Sequence, residues 1–164
     1  VIGWPVALTA SAAGTPGVIG AIGLGVATLG LLIEALADHQ LARFKADAKN
    51  RGRVMDRGLW RYSRHPNYFG DAVLWWGLWI VSLEVAGPWT VFAPLLMTVL
   101  LLRVSGVPLL EGHLARTRPG YEEYVRRTSA FVPWPPKAPR SPNAPTLPES
   151  PGSTGIRSTH RVDP

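Results

Sequence analysis

The feature that most constrains this chain is the apolar run at 17–37, GVIGAIGLGVATLGLLIEALA, whose single charged residue is Glu34. About 20 predominantly apolar residues in helical form span the hydrocarbon core of a bilayer. The run therefore predicts a transmembrane helix. Within it, Gly17, Ala21 and Gly25 recur at intervals of four, which predicts a stripe of small residues where a second helix packs closely.

Two further apolar runs, 72–86 and 89–110, are separated by a Gly-Pro pair and predict a helical hairpin with a very short turn. Basic residues gather before this hairpin at 38–70 and after it at 111–137. A hairpin returns to its starting side, so both basic blocks lie on one face of the membrane. The positive-inside rule identifies that face as cytoplasmic.

Together these patterns predict an all-α fold, a polytopic membrane helical bundle with a helical hairpin and cytoplasmic interfacial segments. Residues 1–16, interrupted by Pro and Gly, are interpreted as a partial helix or loop of a missing N-terminal region. Residues 17–137 form the predicted membrane-embedded domain. The tail at 138–164 is rich in Pro, Ser, Thr and Gly and is predicted to be disordered. The predicted location is an inner or cytoplasmic membrane.

Composition restricts the classes of partner. The net charge is +6, but the basic residues flank apolar runs and carry no aromatic-basic platform, so we predict no nucleic-acid partner. The absence of Cys excludes disulfides and thiolate catalysis, and the four His include no i, i+4 pair, so no metal site is predicted. The predicted partners are membrane lipids and an apolar small-molecule substrate.

A polar and aromatic cluster lies where the first helix of the hairpin begins, in the run Arg64-His65-Pro66-Asn67-Tyr68-Phe69-Gly70-Asp71. Pro66 suits the first turn of a helix, where its missing N–H is no loss. The free N–H groups of that turn and the positive end of the helix dipole attract anions. Arg64 and His65, immediately before it, could grip a phosphate or carboxylate.

The remaining polar side chains of the cluster could recognise other parts of a ligand. Asn67 and Tyr68 could form hydrogen bonds with an amide or a ribose, and Asp71 could accept one from a hydroxyl. An alternative assigns the arginines to lipid headgroups and the aromatic residues to an interfacial belt. The physical chemistry of the residues leaves both interpretations open.

The cluster, with Gly58-Leu59-Trp60 before it and Tyr121-x-x-Tyr124 after it, resembles the C-terminal domain of the steroid 5-alpha-reductase family, in particular a bacterial branch of unassigned function. The wider superfamily also holds sterol C14 reductases and isoprenylcysteine carboxyl methyltransferases. The resemblance covers roughly residues 30–137. It implies a membrane enzyme with a cofactor site at the cytoplasmic face.

The resemblance also implies roles for individual residues. Asn67 and Tyr68 match the pair that helps to hold NADPH in the reductases, and Arg64 and His65 match positions that face the cofactor. Asp71 stands where the 5-alpha-reductase branch usually has Glu and where the sterol C14 reductases resemble this chain. The catalytic acids of the steroid reductases lie in upstream helices that have no counterpart among these residues.

Charged residues inside predicted membrane helices are costly and usually functional. Glu34 and Asp38, one turn apart near the cytoplasmic end of the first span, are candidate catalytic residues that could face the cofactor together with Gln40. Arg103, in the second helix of the hairpin, and its possible partner Glu111 are candidate cofactor-binding residues.

The last part of the predicted domain adds two more candidates. Tyr121 and Tyr124 share a face of a predicted short interfacial helix and join the cofactor-binding set. The segment Phe131-Val-Pro-Trp-Pro-Pro at 131–136 is predicted to close over the site as an apolar lid, although Trp134 could equally be a residue of the interfacial belt. Glu84, near the opposite membrane face, is predicted to be hydrated.

The leading hypothesis is a membrane-bound oxidoreductase that reduces a conjugated C=C bond of a lipid or steroid-like substrate with NADPH. The second is a membrane methyltransferase of the isoprenylcysteine carboxyl methyltransferase type, with S-adenosylmethionine in the same pocket. The third is a non-catalytic membrane scaffold. The residues Asn67 to Asp71 favour the reductase.

Overall fold

The structure is a computed structural model that describes residues 17–104, 112 and 114–138. In these ranges the chain is helical and forms no β-strand, only one isolated bridge between Ser63 and Ser129. The predictions for 1–16 and for the tail beyond 138 fall outside the described residues. The helices whose bounds lie within the described ranges are α1 (Val18–Ala46), α2 (Pro66–Ser82), α3 (Phe92–Val99) and α4 (Tyr121–Arg127).

Short helical turns connect and extend these helices. Two 3-10 turns, Ala48–Asn50 and Gly58–Arg61, lie between α1 and α2. A third, Pro88–Val91, leads into α3, and a π-helical turn at Leu100–Val104 continues it. Gly87 has φ +79° and makes the sharp turn that the Gly-Pro pair predicts between α2 and α3.

Helix α1 has 29 residues and continues nine residues past the predicted end of the apolar run. Among the described residues it is the one helix long and apolar enough to cross a membrane, judged by length and composition. Large apolar side chains on it point outward, including Ile22, Leu29 and Leu32, each more than half exposed. These properties are compatible with membrane association through α1.

Helices α1 and α2 pack antiparallel along a seam of small residues. The buried residues of α1 alternate at spacings of three and four, which keeps them on one face; they are Gly20, Gly23, Ala27, Gly30 and, after a longer gap, Ala37. A Cβ at Gly30 would lie 2.3 Å from the Leu74 backbone N, and one at Gly77 would lie 2.3 Å from the Ala27 backbone N. The two backbones are therefore in direct contact, which only glycine permits.

The predicted stripe of Gly17, Ala21 and Gly25 is wrong. Ala21 is exposed, and a Cβ at Gly25 would meet no atom within 4 Å. The glycines that face α1 from α2, Gly70 and Gly77, are seven residues apart and pair with α1 glycines of the same spacing. Helix α1 carries small residues on two faces. The spacing of the glycines on α2 determines which of these faces packs against it.

Glu84, which follows α2, connects the end of that helix to the start of α1. This connection lies at the end of the helix pair away from the basic blocks. Its carboxylate accepts hydrogen bonds from the backbone N–H groups of Gly17, at 3.0 Å, and Gly20, at 2.9 Å. These N–H groups lack acceptors within their own helix. Glu84 is exposed, as predicted, but it also caps α1 from outside the helix, which was not predicted.

Candidate functional site

The predicted motif starts helix α2, and Pro66 is its first residue. His65, 3% exposed, precedes the helix, and its carbonyl accepts from the Phe69 N–H. The backbone before it is fixed by the chain near residue 130. Arg64 N–H donates to the Ser129 carbonyl at 2.8 Å, and Ser63 Oγ donates to the Phe131 carbonyl at 2.7 Å. Hydrogen bonds to residues 129 and 131, which come much later in the chain, therefore fix the backbone at the start of the motif.

The turn before the motif is fixed against α1. The buried indole of Trp60 donates from Nε1 to the Ala37 carbonyl at 3.0 Å. Gln40 Oε1 accepts from the Leu59 N–H at 2.9 Å. The hydroxyl of Tyr124, on α4, donates to the Trp60 carbonyl at 2.6 Å. Helix α4 and the C-terminal part of α1 are thus both hydrogen-bonded to the turn at Leu59 and Trp60.

A cavity of about 520 Å³ lies between the end of α1, the loop after it, the start of α2 and α4. This volume falls in the ordinary range for small-molecule sites, roughly 300–1,000 Å³. Six of the residues predicted to bind a cofactor line it, from two separate stretches of the chain; they are Arg64, His65, Asn67, Tyr68, Tyr121 and Tyr124. We call it the first cavity.

The lining of the first cavity is strongly cationic. It contains one carboxylate, Asp47, whose Oδ1 accepts from the Lys49 N–H. It contains five cationic side chains, Lys45, Arg51, Arg53, Arg64 and Arg118. Such an excess of positive charge in a concave surface attracts anionic ligands and concentrates them near the site.

Aromatic side chains supply the other surface of the first cavity. Phe44 and Trp60 line it beside the two tyrosines of α4. The rings of His65 and Tyr68 are stacked, with centroids 5.4 Å apart and planes 2° from parallel. Flat apolar surfaces next to cations suit a ligand that combines ring systems with negatively charged groups.

Asn67 connects the first cavity to a group of carboxylates. Its Nδ2 donates to Asp38 Oδ1 at 3.0 Å. Its Oδ1 is buried and accepts no hydrogen bond from the described part of the chain. Because Asp38 can only accept when ionised, it keeps the amide nitrogen on its own side. The oxygen is then available to an N–H or O–H donor of a ligand.

The predicted catalytic residues do not line the first cavity. Glu34 interacts electrostatically with Asp71 and Asp38, so the three carboxylates form one group. None of them lines the cavity, including Asp71, which was predicted to bind the cofactor. Gln40 is also absent from the lining, and its side chain is engaged by Leu59. The antiparallel pairing of α1 and α2 puts this acidic group on the other side of Asn67.

Two further residues of the predicted cofactor-binding set are Arg103 and Glu111. Arg103 is exposed and does not line the first cavity, so the structure does not bring it together with the other predicted residues. It lies at the end of a helical segment that packs against α2. Glu111 lies outside the described residues, so its assignment stays a prediction.

The segment 131–136 does not line or close the first cavity. Phe131 packs edge to face on Phe69, with centroids 5.9 Å apart, and Trp134 is 69% exposed. The Trp134 N–H donates to the Tyr62 carbonyl at 2.9 Å. The segment supports the backbone of the motif from outside, because it runs beside residues 62–64.

Several lining residues were not predicted. The basic ones, Lys45, Arg51, Arg53 and Arg118, lie in the two basic blocks, from which only the orientation of the chain was inferred. Leu41 and Phe44 extend the buried face of α1 beyond Ala37 at spacings of four and three. That spacing was the available signal that α1 continues and forms one side of the cavity.

A sequence family described as a protein of unknown function (DUF1295) matches residues 1–128. No curated protein matches the chain. No solved structure matches it either.

Proposed function

The chain belongs to the DUF1295 family, and we propose that it is a membrane-bound reductase that uses NADPH to reduce a conjugated C=C bond of a lipid or steroid-like substrate. The observation that carries this proposal is the first cavity, which combines five cationic side chains, aromatic surfaces and one available amide oxygen. The resemblance to the steroid 5-alpha-reductase family, which rests on the motif that lines this cavity, supports the same reaction.

The residues of the first cavity fit the parts of a phosphorylated dinucleotide. Arg51, Arg53 and Arg118 would hold the phosphates, since guanidinium groups form paired hydrogen bonds with phosphate oxygens. The stacked rings of His65 and Tyr68 offer a flat surface for a base or nicotinamide ring. Bound NADPH would supply the hydride for the β-carbon of the conjugated substrate.

Within this proposal, the task of the chain is to orient the ligand and exclude water. Asn67 would accept from the carboxamide of the nicotinamide, and Asp38 fixes the direction of the Asn67 amide. Asp38 is therefore proposed as a positioning residue. Buried His65 and the tyrosines of α4 would limit the access of water to the ring.

The proposed setting is a polytopic bundle in which α2 and the apolar helical stretch Pro88–Arg103, which contains α3, also cross the membrane. A helix rises 1.5 Å per residue, so the 29 residues of α1 extend about 43 Å, against about 30 Å of hydrocarbon. The surplus at the basic end carries the first cavity into the cytoplasmic aqueous layer. A water-soluble cofactor could enter there, while an apolar substrate enters from the bilayer.

The test is thermal unfolding of the purified full chain in detergent with NADPH or S-adenosylmethionine. We expect NADPH to raise the midpoint temperature, because a ligand that binds only the folded state stabilises it. Stabilisation by S-adenosylmethionine alone would favour the methyltransferase. Stabilisation by neither would refute the reductase and favour a scaffold.

A pair of substitutions makes this test specific to the site. Asn67→Ala removes the acceptor in the first cavity and should weaken NADPH binding by about five- to tenfold, since a hydrogen bond contributes about 1 kcal/mol. His39→Ala, on the exposed face of α1 and outside the lining, should leave the affinity unchanged. Equal affinity of the two variants would exclude Asn67 from the site.

A further inference from the structure

A second cavity, of about 650 Å³, lies on the other side of the loop that follows α1. It shares Phe44, Arg51, Arg53, Val54 and Tyr124 with the first cavity. The loop carrying the two shared arginines therefore forms a partition between the cavities. The residues that belong to the second cavity and not to the first are Gly52, Asp56, Arg57, Pro119, Gly120, Glu123 and Arg127.

Four guanidinium groups line the second cavity, those of Arg51, Arg53, Arg57 and Arg127. Within the described part of the chain none of the four forms an ion pair, and Arg127 Nε is buried without an acceptor. A buried guanidinium N–H that lacks an acceptor is costly unless a ligand supplies one. The arginines thus provide both charge and directed donors.

Two carboxylates also line the second cavity, and they do not neutralise it. Glu123 forms an ion pair with Arg126, three residues away on α4. Asp56 lines the same cavity as the four arginines and makes no ion pair within the described residues. After the Glu123 pair is set aside, four cations remain against one anion. The cavity therefore keeps a net positive charge.

We propose that the second cavity binds the phosphate group of a phosphate monoester. Planar guanidinium groups form paired hydrogen bonds with phosphate oxygens. A monoester also carries close to two negative charges at neutral pH, which compensate the excess of positive charge. The phosphate could belong to a soluble ester or to the headgroup of an anionic lipid. This site goes beyond the proposed reductase and does not require dinucleotide binding in the first cavity.

The test uses the full chain in lipid nanodiscs and follows its thermal unfolding. One arm titrates inorganic phosphate into phosphatidylcholine nanodiscs and reports a soluble ligand. The other replaces part of the phosphatidylcholine by phosphatidic acid, a monoester, or by phosphatidylglycerol, a diester, as the charge control. We expect stabilisation in at least one arm, and phosphatidic acid to stabilise more than phosphatidylglycerol if the ligand is a lipid.

An arginine that lines the second cavity and one that lines neither cavity provide matched variants. Arg127→Gln should weaken the stabilising ligand by about tenfold or more, since a hydrogen bond to a charged group contributes more than a neutral one. Arg61→Gln, which removes a guanidinium that lines neither cavity and leaves the Glu123–Arg126 pair intact, should leave binding unchanged. Arg127→Lys keeps the charge and should retain part of the affinity. If Arg127→Gln fails to fold, Arg57→Gln replaces it, because Arg57 also lines only the second cavity.

The outcomes separate this proposal from the reductase. No stabilisation in either arm, or equal binding by Arg127→Gln and Arg61→Gln, would overturn the phosphate site. Stabilisation by the phosphate probes without any by NADPH would retain the phosphate site and refute the reductase. Stabilisation by NADPH with none by the phosphate probes would retain the reductase and overturn the phosphate site.

Discussion

Replacing Gly30 by Ala tests the closest contact in the fold. A Cβ at this position would lie 2.3 Å from the backbone N of Leu74 and 2.6 Å from the carbonyl O of Gly70, where ordinary contact begins near 3.4 Å. Both atoms belong to the backbone of α2, so no side chain can rotate away. Gly30→Ala must therefore separate α1 and α2 by about 1 Å.

The expected cost follows from that separation. A gap of 0.5–1 Å removes roughly a quarter to a half of the dispersion energy of each contact along the seam. Overpacking of this kind costs about 1–3 kcal/mol, and the rigid backbone puts Gly30→Ala near the upper value. Alanine gains about 1 kcal/mol over glycine in helix propensity. The net loss in free energy of unfolding is therefore about 2 kcal/mol.

Thermal unfolding in detergent, followed by the fluorescence of the seven tryptophans, measures this loss. For a chain of this size, about 2 kcal/mol lowers the midpoint by roughly 4–8 °C. The matched control is Gly25→Ala, where a Cβ has open space, so the midpoint should stay the same or rise. If the two variants unfold within about 1 °C of each other, the close approach of the helices is refuted.

Two further substitutions test the ends of the helix pair. Tyr124→Phe removes the donor to the Trp60 carbonyl and should lower the free energy of unfolding by about 1–3 kcal/mol; an unchanged midpoint in thermal unfolding would show that this bond does not hold α4. Glu84→Gln keeps one acceptor but removes the charge at the N-terminus of α1, which should cost about 0.3–1 kcal/mol at low salt. The loss should shrink in high salt, and a salt-independent midpoint difference would contradict the electrostatic explanation.

The first cavity could be predicted in part because its signals are local in the chain. The Arg64–Tyr68 run precedes or begins a helix whose first residue is Pro66, and Tyr121 and Tyr124 share one face of a short helix. Arg51 and Arg53 could not be assigned, since an arginine that contacts lipid headgroups and one that lines a cavity look alike in sequence. Only the folded structure, which brings these arginines and the end of α1 to one cavity, distinguishes the two cases.

The packing of α1 illustrates a second limit. Its small residues offer two faces, and the helix alone does not say which one meets a partner. The seven-residue interval between Gly70 and Gly77 on α2 matches the interval between Gly23 and Gly30, and this correspondence was present in the sequence. Glu34, Asp38 and Asp71 lie on the side of Asn67 away from the first cavity because α1 and α2 pair antiparallel. Their position could not be predicted without knowledge of that pairing.

The hydrogen bonds between residues 62–64 and 129–134 have a consequence for biosynthesis. Helices α1 and α2 can pair as soon as residue 82 has left the ribosome, because their contacts lie within that stretch. The first cavity needs the tyrosines of α4, and the backbone of its motif is completed only by Ser129, Phe131 and Trp134. The helix pair would thus form well before the first cavity is complete, so closure of that cavity marks a later stage of synthesis than pairing of the helices.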